Sequence, residues 1–314
     1  MKNIPISAMI GLLFTALYFL MAIFAPLLAP YGVGEVVGDV WEISALSYYL
    51  SPVSYFFSEV WYFISTWPWN WAHFPLQHFA ENTFIGTPGD YWLGTDNIGR
   101  DLLSRMIYGG RTTIFIATAA TILSFTTGSI LGFFAAVSGG WVDQVMSRLV
   151  DLVMSIPTLI FALVVLSVMP VTVPVLIVVM GLLDSTRVYR LARAVAVDIE
   201  VMDYVEAARL RGEKTVWIIF REILPNALSP LVAEMGLRFI FMVLFVSTLS
   251  FLGLGVQPPE ADWGGIVKEN KEGIVYGIPA ALLPAIAIAT LAISVNLVAD
   301  WVLNRTTSLK GGRG

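Results

Sequence analysis

The residues able to do chemistry in this chain are few and unevenly placed. Glu234 and Arg238 stand four positions apart inside a long apolar run, a spacing that sets both on one face of a helix. A charge at mid-bilayer costs about 2.5–3.5 kcal/mol on insertion scales, so such a pair must neutralise itself or face a water-filled path. Two readings stay open. The pair lines a pore, with Arg238 meeting an anionic group on a solute, or it is an internal ion pair that locks its helix against a neighbour. The only histidines, His73 and His78, lie in an aromatic stretch, and an H-x4-H pair without a third ligand is thin support for a metal. There is no cysteine, which excludes disulfides, thiolate metal sites and cysteine nucleophiles. No G-x-x-x-x-G-K-[ST] occurs, so no phosphate-cradling loop is encoded. Gly253-Leu254-Gly255 closes an apolar run without a helix N-terminus to receive a nucleotide. The expectation is a chain that is not an enzyme, with no catalytic residue, no cofactor and no metal.

A second constellation lies between apolar runs, at 198–230: DIEVMDYVEAARLRGEKTVWIIFREILPNALSP. It is polar and helix-prone through Arg211, breaks at Gly212 and resumes with Val216-Trp217-Ile218-Ile219-Phe220. Pro225 is expected to stop or kink the chain before the next run. The segment reads as a short helix, a turn and a second helix lying flat beneath a membrane. Lipid alone cannot bury its faces, so a cytoplasmic protein partner would explain it.

These residues must be positioned by elements that suit a bilayer. Of the 314 residues, 57% are hydrophobic and 13% charged, and mean hydropathy is +0.77. A soluble domain carries about 25% charged residues. The composition excludes a soluble enzyme, a disordered protein and a nucleic-acid binder. A crossing helix needs about 20 mostly apolar residues, and six stretches qualify: 7–29, 112–137, 147–169, 172–190, 229–254 and 278–303. The first is long for a signal peptide and is read as a retained helix. Basic residues gather on cytoplasmic flanks. Seven of the 18 fall between Arg187 and Arg221, and none between Lys2 and Arg100. Both termini are then expected inside, with 30–111 and 255–277 outside. Six of the ten tryptophans lie in 30–99, which suits the membrane–water interface. One or two interfacial helices are expected there; a seventh span over 46–67 is the rival. Neither inverted repeats nor broken helices are apparent. Arg148 with Asp151, and Asp184 with Arg187, read as anchors near span ends. Gly128, Gly132, Gly139 and Gly140 read as sites of close helix approach.

The spacing of Glu206-Ala207-Ala208, Gly212 and Leu224-Pro225 resembles the EAA motif of ABC-importer permease subunits. Leu93-Gly94-Thr95-Asp96, Gly99-Arg100-Asp101, Ser104-Arg105 and Gly110-Arg111 resemble the stretch before the second span in the dipeptide/oligopeptide/nickel branch. Ser250-Phe251-Leu252-Gly253-Leu254-Gly255, with Pro258-Pro259 and Trp263-Gly264, resembles the end of its fifth span. The order is similar to the C-type permease, over about 93–303. The resemblance implies an all-α, six-helix type I importer fold. It implies a second permease, two ATPase subunits that hydrolyse ATP, an extracytoplasmic binding protein, and a prokaryotic inner membrane. No nucleic acid is implied. Glu206, Ala207, Ala208, Gly212, Leu224 and Pro225 would form the coupling helix and its turn: the alanines allow close approach, Glu206 caps or ion-pairs, and Gly212 permits the turn. The regions are then 1–30, a first crossing helix; 31–110, an aromatic outer loop; 111–305, the permease core with the coupling loop near 198–225; and 306–314, a frayed tail. Peptides are the expected solute; nickel chelates, oligosaccharides and opines are alternatives. The rival function is an ion-coupled secondary transporter using Glu234 and Arg238.

Overall fold

The computed structural model describes residues 5–42, 91–276 and 278–310. Most of the aromatic outer stretch lies outside the described residues, including its expected interfacial helices, the alternative span at 46–67, and His73 and His78. Among the described residues the fold is helical without a strand; two isolated bridges, Val36 with Arg100 and Thr95 with Asp101, are its only extended pairings.

The long helices are α1 (Ile6–Ile23), α3 (Leu102–Ser138), α6 (Val173–Glu200), α9 (Leu224–Leu252) and α11 (Leu282–Lys310). Between them lie α2 (Ala25–Leu28), α4 (Gly140–Met154), α5 (Thr158–Val168), α7 (Asp203–Leu210), α8 (Thr215–Ile218) and α10 (Trp263–Asn270). Helical backbone continues into the expected tail, as far as Lys310. Four described helices are long and apolar enough to cross a membrane: Ile6–Ile23, Leu102–Ser138, Pro230–Leu252 and Pro279–Leu303. α4 and α5 would supply a fifth crossing if taken together, but they meet at 81°.

That bend corrects the straight span expected over 147–169 and the expected absence of broken helices. Pro157 begins α5 at its N-cap, with no N–H to extend a helix, and it pushes Ile156 away from helical backbone. With 11 residues, α5 is only ~16 Å long, about half a hydrocarbon core. The helix expected over 172–190 is present but longer, running to Glu200, and Asp184, Arg187 and Arg190 interrupt its apolar face.

α3 and α6 form the closest pair, and small residues permit it. A Cβ on Gly128 would lie 2.6 Å from the Ser185 carbonyl oxygen, and one on Gly132 would lie 2.7 Å from that of Tyr189. This is small-residue packing of the kind membrane helices use, because apolar area alone does not drive association in lipid. Gly139 and Gly140 do something else. Nothing would touch a Cβ there, but both have positive φ, +60° and +53°, and turn the chain from α3 into α4.

Packing divides into two apolar cores. The larger joins α1, α3, α5, α6, α9, α10 and α11 around Leu102, Ile116, Leu176, Met180, Met242, Leu249 and Trp263. Trp263 Nε1 donates to the Met106 carbonyl at 2.9 Å, so the ring is buried with its polar edge satisfied. The smaller core ties α7 and α8 to the inner ends of α3 and α6 through Phe133, Ala192, Val205, Ala208, Ile218 and Ile223.

Candidate functional site

The 198–230 segment folds as a helix–turn–helix arm. α7 has Asp203 and Glu206 in its first turn and Arg209 in its last, charges that complement the helix dipole. Arg209 also pairs with Glu200. Gly212 has φ +82°, a left-handed conformation that costs a non-glycine residue strain. Its N–H donates to the Arg209 carbonyl at 2.9 Å, and the Glu213 N–H donates to that of Ala208 at 3.2 Å, which closes α7. The Arg211 guanidinium then lies 5.8 Å from the Trp217 ring centre, across the turn.

The six motif residues separate by exposure. Ala208 is buried with Val205 in the inner core, while Glu206 and Ala207 are exposed. Only one of the two alanines is therefore available for close approach by another molecule. Glu206 neither caps α7 nor forms an ion pair among the described residues. Leu224 is half-buried and Pro225 exposed. Pro225 does not stop the chain. It occupies the first turn of α9, where its missing N–H is least costly, and a π-turn at Ile219–Ile223 keeps the backbone helical from α8 into α9. Around Glu206 and Ala207 the arm also leaves Met202, Tyr204 and Leu210 uncovered, Leu210 at 82%.

At membrane depth, Arg238 donates to Glu234 Oε1 from Nε at 3.0 Å and from Nη2 at 2.7 Å. Its Nη1 lies 3.5 Å from Asp184 Oδ1 on α6. Asp184 is fully buried and accepts from the Ser124 hydroxyl of α3 at 3.0 Å. Sequence reasoning placed Asp184 at a span end beside Arg187. In the fold α6 continues past it, and Asp184 joins α3, α6 and α9. Asp151, expected to sit with Arg148, instead meets Arg190 at 2.5 Å. A single sequence could not reveal these partners, because each comes from a different helix.

A third cluster went unassigned by sequence, although its residues lie in the 93–105 stretch that carried the resemblance. Asp96 Oδ2 receives Arg100 Nε at 2.6 Å and Arg105 Nη1 at 2.5 Å. The same two arginines reach Glu269 Oε2 on α10 at 2.6 and 2.5 Å. Burial pushes the Asp96 carboxyl up. The Arg100 and Ile98 backbone N–H groups and both guanidinium charges outweigh that and hold it below the usual carboxylate range. Asp101 caps α3 by accepting from the Ser104 N–H at 2.8 Å and its hydroxyl at 2.6 Å.

The fold thus offers an arm with an uncovered face, a charge cluster within the apolar helices and a charge clamp at the opposite end. The sequence that builds it is similar to known proteins. Residues 128–308 match the model of binding-protein-dependent transport system inner membrane components, and residues 7–37 match the N-terminal transmembrane domain of oligopeptide transport permease C. A putative peptide transport system permease protein of Brucella suis is 36% identical over 68% of this chain and 72% of its own length. The dipeptide transport system permease protein DppC of Haemophilus influenzae is 33% identical over 68% and 72%. The glutathione transport system permease protein GsiD of Pectobacterium atrosepticum is 30% identical over 73% and 78%. The chain belongs to the family of binding-protein-dependent transport system inner membrane components.

Proposed function

We propose that this chain is one permease subunit of an ATP-driven peptide importer in a prokaryotic inner membrane. The observation that carries the reading is the arm: a folded helix–turn–helix with one face packed and the other, with Met202, Tyr204, Glu206, Ala207 and Leu210, uncovered by the described residues. The names of the relatives support peptides as the solute. Six crossings complete the path: α1, α3, the bent α4–α5, α6, α9 and α11. The basic residues around the arm support cytoplasmic termini. A second permease forms the other half of the pore, two ATPase subunits lie beneath, and a binding protein delivers solute from outside. ATP-driven closure of the ATPases moves α7, and the rigid α7–α8–π-turn connection carries that motion into α9, a rigid-body transition. ATP is hydrolysed on the separate ATPase chains.

Glu234 and Arg238 lie on the face of α9 that meets Asp184 of α6. Their mutual hydrogen bonds and the approach to Asp184 favour the locking role over direct solute contact. A secondary transporter is not favoured, because the relatives are permease subunits of transport systems. Gly212→Val tests the coupling. Nothing crowds a Cβ there, so the damage is to the turn itself. In the reconstituted importer, uptake per ATP hydrolysed should fall at least tenfold in G212V and much less in Gly212→Asn, since Asn tolerates left-handed backbone. Unchanged uptake in G212V would remove the coupling role.

A further inference from the structure

Three arginines follow one another on α6 at intervals of three: Arg187, Arg190 and Arg193. Two are matched by carboxylates from α4. Arg190 meets Asp151 at 2.5 Å, and Arg193 meets Asp143 at 2.5 Å. Arg238 on α9 is shared by Glu234 and Asp184. Arg187 alone in this group has no carboxylate within 4.0 Å among the described residues. It has instead a half-buried setting, with its guanidinium carbon 4.8 Å from the Phe241 ring centre and a long 3.4 Å contact from Nη2 to the Thr158 hydroxyl.

The placement is costly unless used. Arg187 lies about 21 Å along α6 from Val173, at a rise of 1.5 Å per residue, which is the inner half of a crossing of about 30 Å. A guanidinium there normally finds a counter-ion or a water-filled path. The break between α4 and α5 sits at the same level, since Thr158 opens α5 and touches Arg187. Irregular backbone at membrane depth is tolerated where it is packed in protein or lines a water-filled cavity. Asp184, Glu234 and Arg238 already sum to one negative charge, and Arg187 brings the group to neutrality without pairing. Its five donors form a fork that suits a carboxylate. The Phe241 face holds the guanidinium in place, and among the described residues its one hydrogen-bond partner is the distant Thr158 hydroxyl.

We propose that Arg187, rather than Arg238, is the residue that receives the C-terminal carboxylate of a peptide on its way through the inner half of the path. The proposal rests on the peptide-importer reading above. Arg238 keeps α6 and α9 together; Arg187 is a specificity-determining residue, and Phe241 and Thr158 position it.

The absence of cysteine in the chain makes a clean test. In the complete importer, with its second permease, ATPases and loaded binding protein, Arg187→Cys should lower maximal dipeptide uptake at least tenfold. The binding-protein concentration for half-maximal rate should stay unchanged, because docking occurs on the other face. Arg187→Lys should stay within about threefold of wild type. Modification of R187C with aminoethyl methanethiosulfonate, which restores a cation, should recover uptake, whereas the sulfonatoethyl reagent should not. Excess dipeptide with loaded binding protein should slow modification several-fold under turnover, measured against an unsubstituted complex carrying the same partner chains. Full uptake by R187C, loss that tracks loss of assembled complex, or a modification rate indifferent to dipeptide would each overturn the proposal. Indifference to dipeptide together with slowing in anionic-lipid vesicles would assign Arg187 to lipid phosphate instead. If the unsubstituted importer takes up no peptide at all, the failure belongs to the peptide reading and not to Arg187.

Discussion

The outer and inner ends of the molecule are built on opposite principles. At the outer end, two carboxylates and two guanidinium groups interlock, Asp96 and Glu269 each meeting both Arg100 and Arg105. Asp96, Arg100 and Arg105 are buried, and Glu269 is the one partly open member. At the other end, α7 and α8 seat Val205, Ala208 and Ile218 on an apolar floor of Phe133, Ala192 and Ala196. Directional, charge-assisted bonds fix one arrangement. Apolar contacts are non-directional, so a helix seated on them can shift as a unit at small cost. Under the importer reading proposed above, the clamped end would hold its shape for an incoming partner and the arm would move with the ATPases.

Breaking the clamp should have the largest effect. Removing one partner of a buried ion pair leaves the others uncompensated and costs about 3–5 kcal/mol. Arg105→Leu should therefore melt well below wild type in detergent, with reduced yield. Glu269→Gln should cost about 1–2 kcal/mol, because that carboxylate is partly open and the substitution keeps an acceptor. A double variant should cost less than the two single losses together. If R105L melts with wild type, the outer end is not held by its charges and the comparison fails.

The inner end can be sharpened by two neighbouring alanines. Ala208 is fully buried and Ala207 exposed. Ala208→Leu overpacks the floor and should cost about 1–3 kcal/mol. Ala207→Leu should stay within about 0.5 kcal/mol in stability, yet weaken co-purification of the ATPase subunits. Equal behaviour of the two in both measurements would mean that α7 is not seated as described.

Much of this was readable beforehand. Apolar runs of about 20 residues or more located α1, α3, α9 and α11, and the Glu206 to Pro225 spacing located the arm with Gly212 at its turn. What escaped depended on partners brought from elsewhere. Asp184 looks like a span-end anchor until α3 supplies Ser124 and α9 supplies Arg238. The two alanines of the motif look alike until the inner core takes one. The bend at Ser155–Pro157 was masked because Ser155, Pro157 and Thr158 are few within a long apolar stretch, and hydropathy averaged over a window runs straight through a backbone break. The clamp residues were recognised as a pattern, but their closure on Glu269 joins positions more than 160 residues apart in sequence.

A comparison in pH rather than in packing lies again at the clamped end and separates two carboxylates there. Asp262 caps α10, its Oδ2 accepting the Gly264 N–H at 3.0 Å and the Gly265 N–H at 3.3 Å. Among the described residues no guanidinium pairs with it. Burial pushes its carboxyl up to about 6, Glu269 adding to the rise and the Ser250 hydroxyl and the two N–H groups offsetting part of it. Asp96, pulled the other way by two arginines, has the opposite pH response. For an acid raised in the folded state, stability is greatest below the unfolded pKa of about 3.9 and falls as pH rises to 6, then levels. The loss is roughly 3 kcal/mol at about 1.4 kcal/mol per unit. Asp262→Asn keeps an acceptor for the cap and removes the ionisation. Its melting temperature should exceed wild type at pH 7.5 and converge with it near pH 4. The Asp96 contribution runs oppositely, lost as pH falls below 3.9, so Asp96→Asn should be most damaging at pH 7.5. If both variants shift in the same direction between pH 4 and 7.5, the arginines are not what distinguishes the two carboxylates, and the clamp does not act through its charges.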